Sequence, residues 1–165
     1  MRDFGRELGI ATVTLRLPLV YGPGVKANFA ELVEAVRRRR VLPLGAISNQ
    51  RSMLGLANLC SAIDCVRTHP DAAGQVYFVS DGEDVSTPEL VRAIADAFEV
   101  RPRLWRMPPV LLISAATLLG RRAAIRRLTE SLTIDDARIR RTLGWKPTTT
   151  MAGELERLAA SLNLA

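Results

Sequence analysis

Apolar and polar positions along the chain switch between a strand-like and a helix-like period. Residues 10–17, IATVTLRL, are apolar and β-branched enough to predict a buried strand, and the charged stretch before it, MRDFGRELG, reads as the tail of a helix stopped at Gly9. PLVYGPG is expected to turn. From Asn28, a good N-cap residue, Phe29, Leu32, Val33 and Val36 recur at helical spacing until four consecutive arginines at 37–40. VLPLG and RSMLGL predict two short extended pieces, and residues 58–66 a helix that Asn58 caps. QVYFVSDG is the clearest strand after the first, ended by Asp81 and Gly82.

Ser86 and Glu89 in STPEL form a capping box, in which the serine oxygen takes an amide of the first turn and the glutamate reaches back; the helix it opens runs to about Phe98. RPRLWRMPP is an extended link into the longest apolar run, residues 110–120, which is far too short to span a bilayer. It reads as a buried helix, with contact at a membrane surface as the alternative, because arginines flank it. Asp135 or Asp136 opens a short helix through Leu143, GWKP stops it, and a last helix runs over 151–162. No repeat, low-complexity segment or dividing linker interrupts the pattern. The expectation is an α/β fold, one domain over 1–165, large enough to bury a core.

Net charge of +6 invites a nucleic-acid reading, but only 5% of residues are aromatic and no nucleic-acid motif is present. The arginines at 37–40 and Arg121, Arg122, Arg126 and Arg127 lie at or beyond the ends of apolar helical patterns, where they complement the negative helix terminus or contact an anion. Cys60 and Cys65, five apart on one helix, point away from each other and cannot close a disulfide. That fits a reducing, cytoplasmic compartment. The only histidine, His69, precedes Pro70 with no cluster of ligands around it, so neither a metal site nor a catalytic role is expected. MRDFGRELG has no apolar core of a signal peptide.

LRLPLVYGPG, KANF, LPLGAISNQRS, NL, SDGEDVSTPEL and LGWKP follow one another in an order and spacing that resembles the C-terminal half of extended short-chain dehydrogenase/reductases acting on sugar nucleotides. The likeness is greatest to the UDP-glucose 4-epimerase-like enzymes that modify UDP-N-acetylhexosamines. It implies the last strands of a Rossmann-like fold with a mostly helical substrate-binding lobe. Members bind NAD(P) on an N-terminal half through a Gly-rich loop, and use a Tyr-x-x-x-Lys pair in which lysine lowers the tyrosine pKa so that the phenolate accepts a proton. Neither element occurs in these 165 residues. The resemblance therefore describes the back half of an enzyme, with the dinucleotide-binding half and the catalytic helix lying before residue 1.

Carried over position by position, the resemblance assigns Pro18 to the cofactor and Leu19 to the hexose. Asn28 becomes a nucleotide-sugar contact at a helix start, Val41 and Leu42 flank the base, and Arg51 pairs with the diphosphate through its two-donor fork. Arg126 or Arg127 adds a second clamp. Plainer readings stand beside these: Asn28 as an N-cap, Arg51 as a surface charge, PLVYGPG as an ordinary turn. Two positions depart from the family, Ala57 where an aspartate is usual and Gly55 where a larger residue is, and both are expected to weaken the junction between strand and helix. Three function classes follow. The chain is the UDP-sugar-binding half of an enzyme, inactive alone and holding no NAD(P) alone, and completed by a complementing N-terminal half or a second copy; or it is a degenerate fragment; or it is a basic interaction module.

Overall fold

A computed structural model describes residues 10–118 and 122–163, without the side chains at 115, 116, 122–124 and 127. The expected helix tail before Gly9 and the end of the apolar run lie outside those residues. Among the described residues, seven short strands form three small sheets. Strand β1 (Thr14–Arg16) pairs in parallel with β5 (Val76–Phe78). Strand β4 (Arg51–Gly55) lies between β2 (Leu19–Tyr21), parallel to it, and β6 (Asp84–Val85), antiparallel. Strands β3 (Val41–Leu42) and β7 (Arg103–Leu104) make a parallel ribbon. The helices are α1 (Ala27–Arg37), α2 (Leu56–Thr68), α3 (Thr87–Ala97), α4 (Pro109–Leu118), α5 (Arg122–Thr129), α6 (Ala137–Leu143) and α7 (Met151–Asn163). The class is α/β, as the alternation of periods predicts.

Strand β4 divides two cores because successive side chains on a strand point to opposite faces. Met53 turns into the larger core, with Phe29, Leu32, Val33 and Val36 of α1, Val91 and Ile94 of α3, and Leu155 and Leu158 of α7. Leu54 turns the other way, onto Ala62, Tyr77, Val79, Ile139, Leu143 and Trp145. The apolar stripe read for α1 is buried in full, and each such side chain stabilises the fold by about 1.5–3 kcal/mol. The capping box of α3 is present: Glu89 N–H donates to Ser86 Oγ at 3.3 Å, and Ser86 N–H to Glu89 Oε2 at 2.8 Å.

Several expectations are corrected by long-range contacts. Leu19–Tyr21, read as part of a turn, is a strand, because Leu19, Val20 and Tyr21 pair with Met53, Leu54 and Gly55. The turn comes after it, at Gly22–Lys26, and leaves Lys26 in the N-cap position of α1; Asn28 lies exposed in the first turn and caps nothing. The IATVTLRL strand is shorter and less buried than expected, with Thr14 and Arg16 exposed around a half-buried Leu15. Helix α2 starts at Leu56 with Gly55 as its N-cap, so Asn58 is inside it. The apolar run is not buried either. Among the described side chains of α4 only Leu112 sinks into the core, at 5% exposure, while Val110 and Leu118 are 74% and 89% exposed.

Asn58 is wholly buried and works as a cross-link. Its amide donates to Asp81 Oδ1 at 2.8 Å and to the Thr149 carbonyl at 2.9 Å. Its oxygen accepts from the N–H groups of Thr148 and Thr149 at 2.8 and 3.0 Å. Asn58→Ala strands these buried partners and is expected to lower the unfolding free energy by about 3 kcal/mol in a denaturant titration. A loss under about 1 kcal/mol, the scale of one ordinary hydrogen bond, would show that water replaces the amide. Ser86→Ala is expected to remove about 1 kcal/mol. Hydrogen bonds from Ser86 hold the Glu89 carboxyl below the usual carboxylate range, so its contribution is complete above the unfolded pKa and is lost as pH falls through the folded one. Ser86→Ala should flatten that acid-side slope, which urea titrations at stepped pH measure.

Candidate functional site

The N-terminal ends of β2 and β4 lie side by side, since their strands are parallel and Leu19 faces Met53. Pro18, at the bend that opens β2, and Arg51, first residue of β4, therefore share one end of this sheet. Leu19 is half-buried against the larger core. The chain returns to the same place a third time. Leu132 N–H donates to the Gln50 carbonyl and Ser52 N–H to the Leu132 carbonyl, both at 2.9 Å, which sets the segment after α5 beside Arg51.

That return brings two of the expected arginines together through Glu130. Arg51 Nη1 donates to the Glu130 carbonyl at 3.3 Å, and Arg126 Nε to the Glu130 carboxylate at 2.7 Å. Both effects of Arg126, its hydrogen bond first and then its charge, hold the Glu130 carboxyl below its ordinary range, and the Arg51 charge adds to them. Burial lowers the Arg51 guanidinium, with Glu130 opposing, but a guanidinium remains cationic. Asn49 supports the arrangement: its amide donates to the carbonyls of Leu128 and Glu130 at 3.2 and 3.3 Å, and its oxygen accepts from Thr87 N–H at 2.9 Å. The side chain of Arg127 lies outside the described residues.

Other expected residues stand apart from this end. Asn28 follows the opposite end of β2. Val41 is 52% exposed on the β3–β7 ribbon, while Leu42 beside it packs on the larger core. Two shallow clefts, of about 240 and 330 Å³, are lined by Asp81, Glu83 and Thr148–Met151 in one case and by Asn49, Gln50, Ser86 and Arg92 among others in the second. None of the residues assigned from the sequence lines either cleft. His69 N-caps a short 3-10 turn, accepting Asp71 N–H on Nδ1 at 3.2 Å, and no group of metal ligands occurs among the described residues. Cys60 and Cys65 are free thiols.

Sequence reading passed over Asp81 and Glu154. Asp81 accepts Tyr21 O–H at 2.8 Å, Asn58 at 2.8 Å and Gly55 N–H at 2.9 Å. Burial first, and then the Asp81 charge, push the Tyr21 phenol far above its ordinary value. Tyr21 is thus a neutral donor fixed to a carboxylate, and cannot accept a proton from a substrate. Glu154 is 1% exposed, and its Oε2 has no hydrogen-bond partner, with Arg157 Nη1 at 3.9 Å. Two glycines make its room. A Cβ on Gly22 would meet Glu154 Oε1 at 2.5 Å, and one on Gly55 would meet Glu154 Cγ at 3.1 Å. Gly55 leaves the space into which Glu154 packs. Neither residue announces this in sequence, because Asp81 depends on Tyr21, 60 residues away, and on Gly55 and Asn58, 26 and 23 away, and Glu154 on glycines farther still.

No family model matches the sequence. A UDP-glucose 4-epimerase of Vibrio cholerae is 42% identical over 149 residues, covering 88% of this chain and 45% of the relative. A GDP-6-deoxy-D-mannose reductase of Pseudomonas aeruginosa is 29% identical over 143 residues, 81% of this chain and 42% of the relative. The chain thus spans less than half the length of either. Among solved structures, a UDP-N-acetylglucosamine 4-epimerase of Bacillus cereus matches with a TM-score of 0.73 at 15% identity, over 97% of this chain and 48% of the other. A Bordetella bronchiseptica enzyme solved with NAD+ and UDP gives 0.72 at 16%, over 99% and 48%. Those two show the fold, and the first relative carries the sequence likeness. This chain belongs to the extended short-chain dehydrogenase/reductases, the family of nucleotide-sugar epimerases and dehydratases.

Proposed function

We propose that the chain is the nucleotide-sugar-binding portion of an NAD(P)-dependent epimerase or dehydratase acting on a UDP-hexose, and that it turns over no substrate alone. The observation that carries this reading is Arg51, held at the sheet end it shares with Pro18 and Leu19 and joined to Arg126 through Glu130. A diphosphate meeting the Arg51 fork would gain two parallel charge-assisted hydrogen bonds. Arg126, exposed and paired only across one turn of helix, is free to exchange Glu130 for a phosphate oxygen at small cost. Arg127 is the alternative second clamp. Asn28 joins the first-turn N–H groups of α1 as a contact to the nucleotide sugar, Leu19 faces the hexose, and Val41 and Leu42 flank the base.

The residues present do not fit a whole dinucleotide. The one glycine turn between strand and helix in this region, Gly22–Gly24, uses Gly22 to admit the carboxylate of Glu154, and a carboxylate there opposes a pyrophosphate. Pro18 can border the nicotinamide, but binding of NAD(P) is proposed to need a complementing N-terminal half. Strand β1 has one neighbour among the described residues, β5, and its free edge is where that half, or a second copy, would add.

Titration with UDP, followed by chemical shift or calorimetry, tests the site. Millimolar binding is expected, weakened about tenfold by Arg51→Ala, a loss of about 1.4 kcal/mol. Arg51→Lys should recover only part of it, because an ammonium lacks the fork. Arg67→Ala, which removes an exposed charge paired with Asp64, should leave affinity unchanged. Equal weakening by both alanine variants, or none by Arg51→Ala, would leave a basic surface and no diphosphate site.

A further inference from the structure

We propose that α4, with the basic segment that leads into it, seats this protein on an anionic lipid surface. The inference is independent of the nucleotide site. A helix that is apolar on every side belongs in a core, yet α4, PVLLISAATL, presents Val110, Leu111 and Leu118 to solvent at 74%, 59% and 89% exposure. Positions 111, 114 and 118 share one face at spacings of three and four, and Leu112 on another side anchors the helix to the larger core. The hydroxyl of Thr117, an exposed residue, donates to the Ile113 carbonyl at 2.8 Å, so its proton is satisfied within the helix.

Charge identifies the occupant. Between residues 100 and 120 there are three arginines and no aspartate or glutamate. Arg101, Arg103 and Arg106, on the approach to α4, are exposed. Leu104 of β7 turns into the core, so alternation along the strand sends Arg103 and Trp105 outward together, with Trp105 58% exposed. Apolar side chains in the acyl boundary, a tryptophan at headgroup level and arginines on anionic phosphates are the three contacts an interfacial helix makes. A nucleic acid would meet the arginines and leave Val110, Leu111 and Leu118 in water. An apolar protein face would cover the leucines and leave the arginines unmatched. At ten residues α4 lies along the surface; no helix among the described residues is long and apolar enough to cross a membrane.

Co-sedimentation with phosphatidylcholine vesicles, with and without phosphatidylglycerol, tests this directly. The protein should bind the anionic vesicles, bind the neutral ones far less, and be released as salt is raised. Trp145 is 5% exposed, so a blue shift of tryptophan emission on binding should come from Trp105 and vanish in Trp105→Phe. The double variant Leu111→Glu with Leu118→Glu should weaken binding at least about tenfold with an unchanged melting curve, since both side chains are exposed. Ile63→Glu, on the exposed side of α2, should change nothing. Absence of binding to anionic vesicles overturns the proposal. So does binding that the double leucine variant leaves intact, or binding matched by RNA without the blue shift, since either reduces the surface to unspecific positive charge.

Discussion

The carboxylate of Asp81 is the point on which the rest of the structure hangs. It takes the phenol of Tyr21 at the end of β2, the amide of Asn58 in α2 and the N–H of Gly55 where β4 becomes α2. Its own N–H returns to the Met53 carbonyl at 2.8 Å. A carboxylate drawn partly out of water is tolerated when such donors replace it, and the donors here come from the end of β2 and the start of α2. Two of them also solve their own problem: the N–H of Gly55, the N-cap residue of α2, gains a partner, and so does the hydroxyl of Tyr21, which is 1% exposed. Through Asn58 the network reaches the loop before α7, so β2, β4, α2 and α7 are placed by one group of hydrogen bonds.

Consequences of that placement run in two directions. Tyr21 and Gly22 are fixed against the first turns of α7, and the space left by two glycines is filled by the Glu154 carboxylate. A Cβ on Gly55 would lie 3.1 Å from Glu154 Cγ, so a larger residue there requires the Glu154 side chain to shift. In the other direction, the same strand β4 starts at Arg51. Fixing its C-terminal end by Asp81, and its N-terminal end by Leu132 and Asn49, holds the guanidinium in one place relative to Pro18 and Leu19. Positioning of this kind is what a binding site needs, because a preorganised donor loses less entropy on meeting its ligand.

Charge and apolar surface are distributed with a similar division. Of the arginines that sequence reading placed at helix ends, Arg37 and Arg38 pair with Glu34 one turn back, and Arg126 pairs with Glu130. Such exposed or half-exposed pairs contribute little to stability, so the net positive charge remains an attribute of the surface. Arg101, Arg103 and Arg106 add exposed charge on the approach to the helix whose apolar side chains the fold leaves outside.

Local physics was legible in the sequence from the start. The stripe Phe29, Leu32, Val33, Val36 specified α1 and its buried face, Ser86 and Glu89 specified the start of α3, and Gly144 closed α6, because each depends on neighbours within a turn or two. The order of short motifs was enough to place the chain in its family. Tertiary structure alone decided the rest: that Leu19–Tyr21 is a strand, that Asn58 is a cross-link and not a cap, that Glu154 is buried, and that α4 is exposed. Each of those depends on a partner far along the chain. An asparagine has the same side chain whether it caps a helix or joins two loops, and an apolar helix has the same sequence whether or not another element covers it.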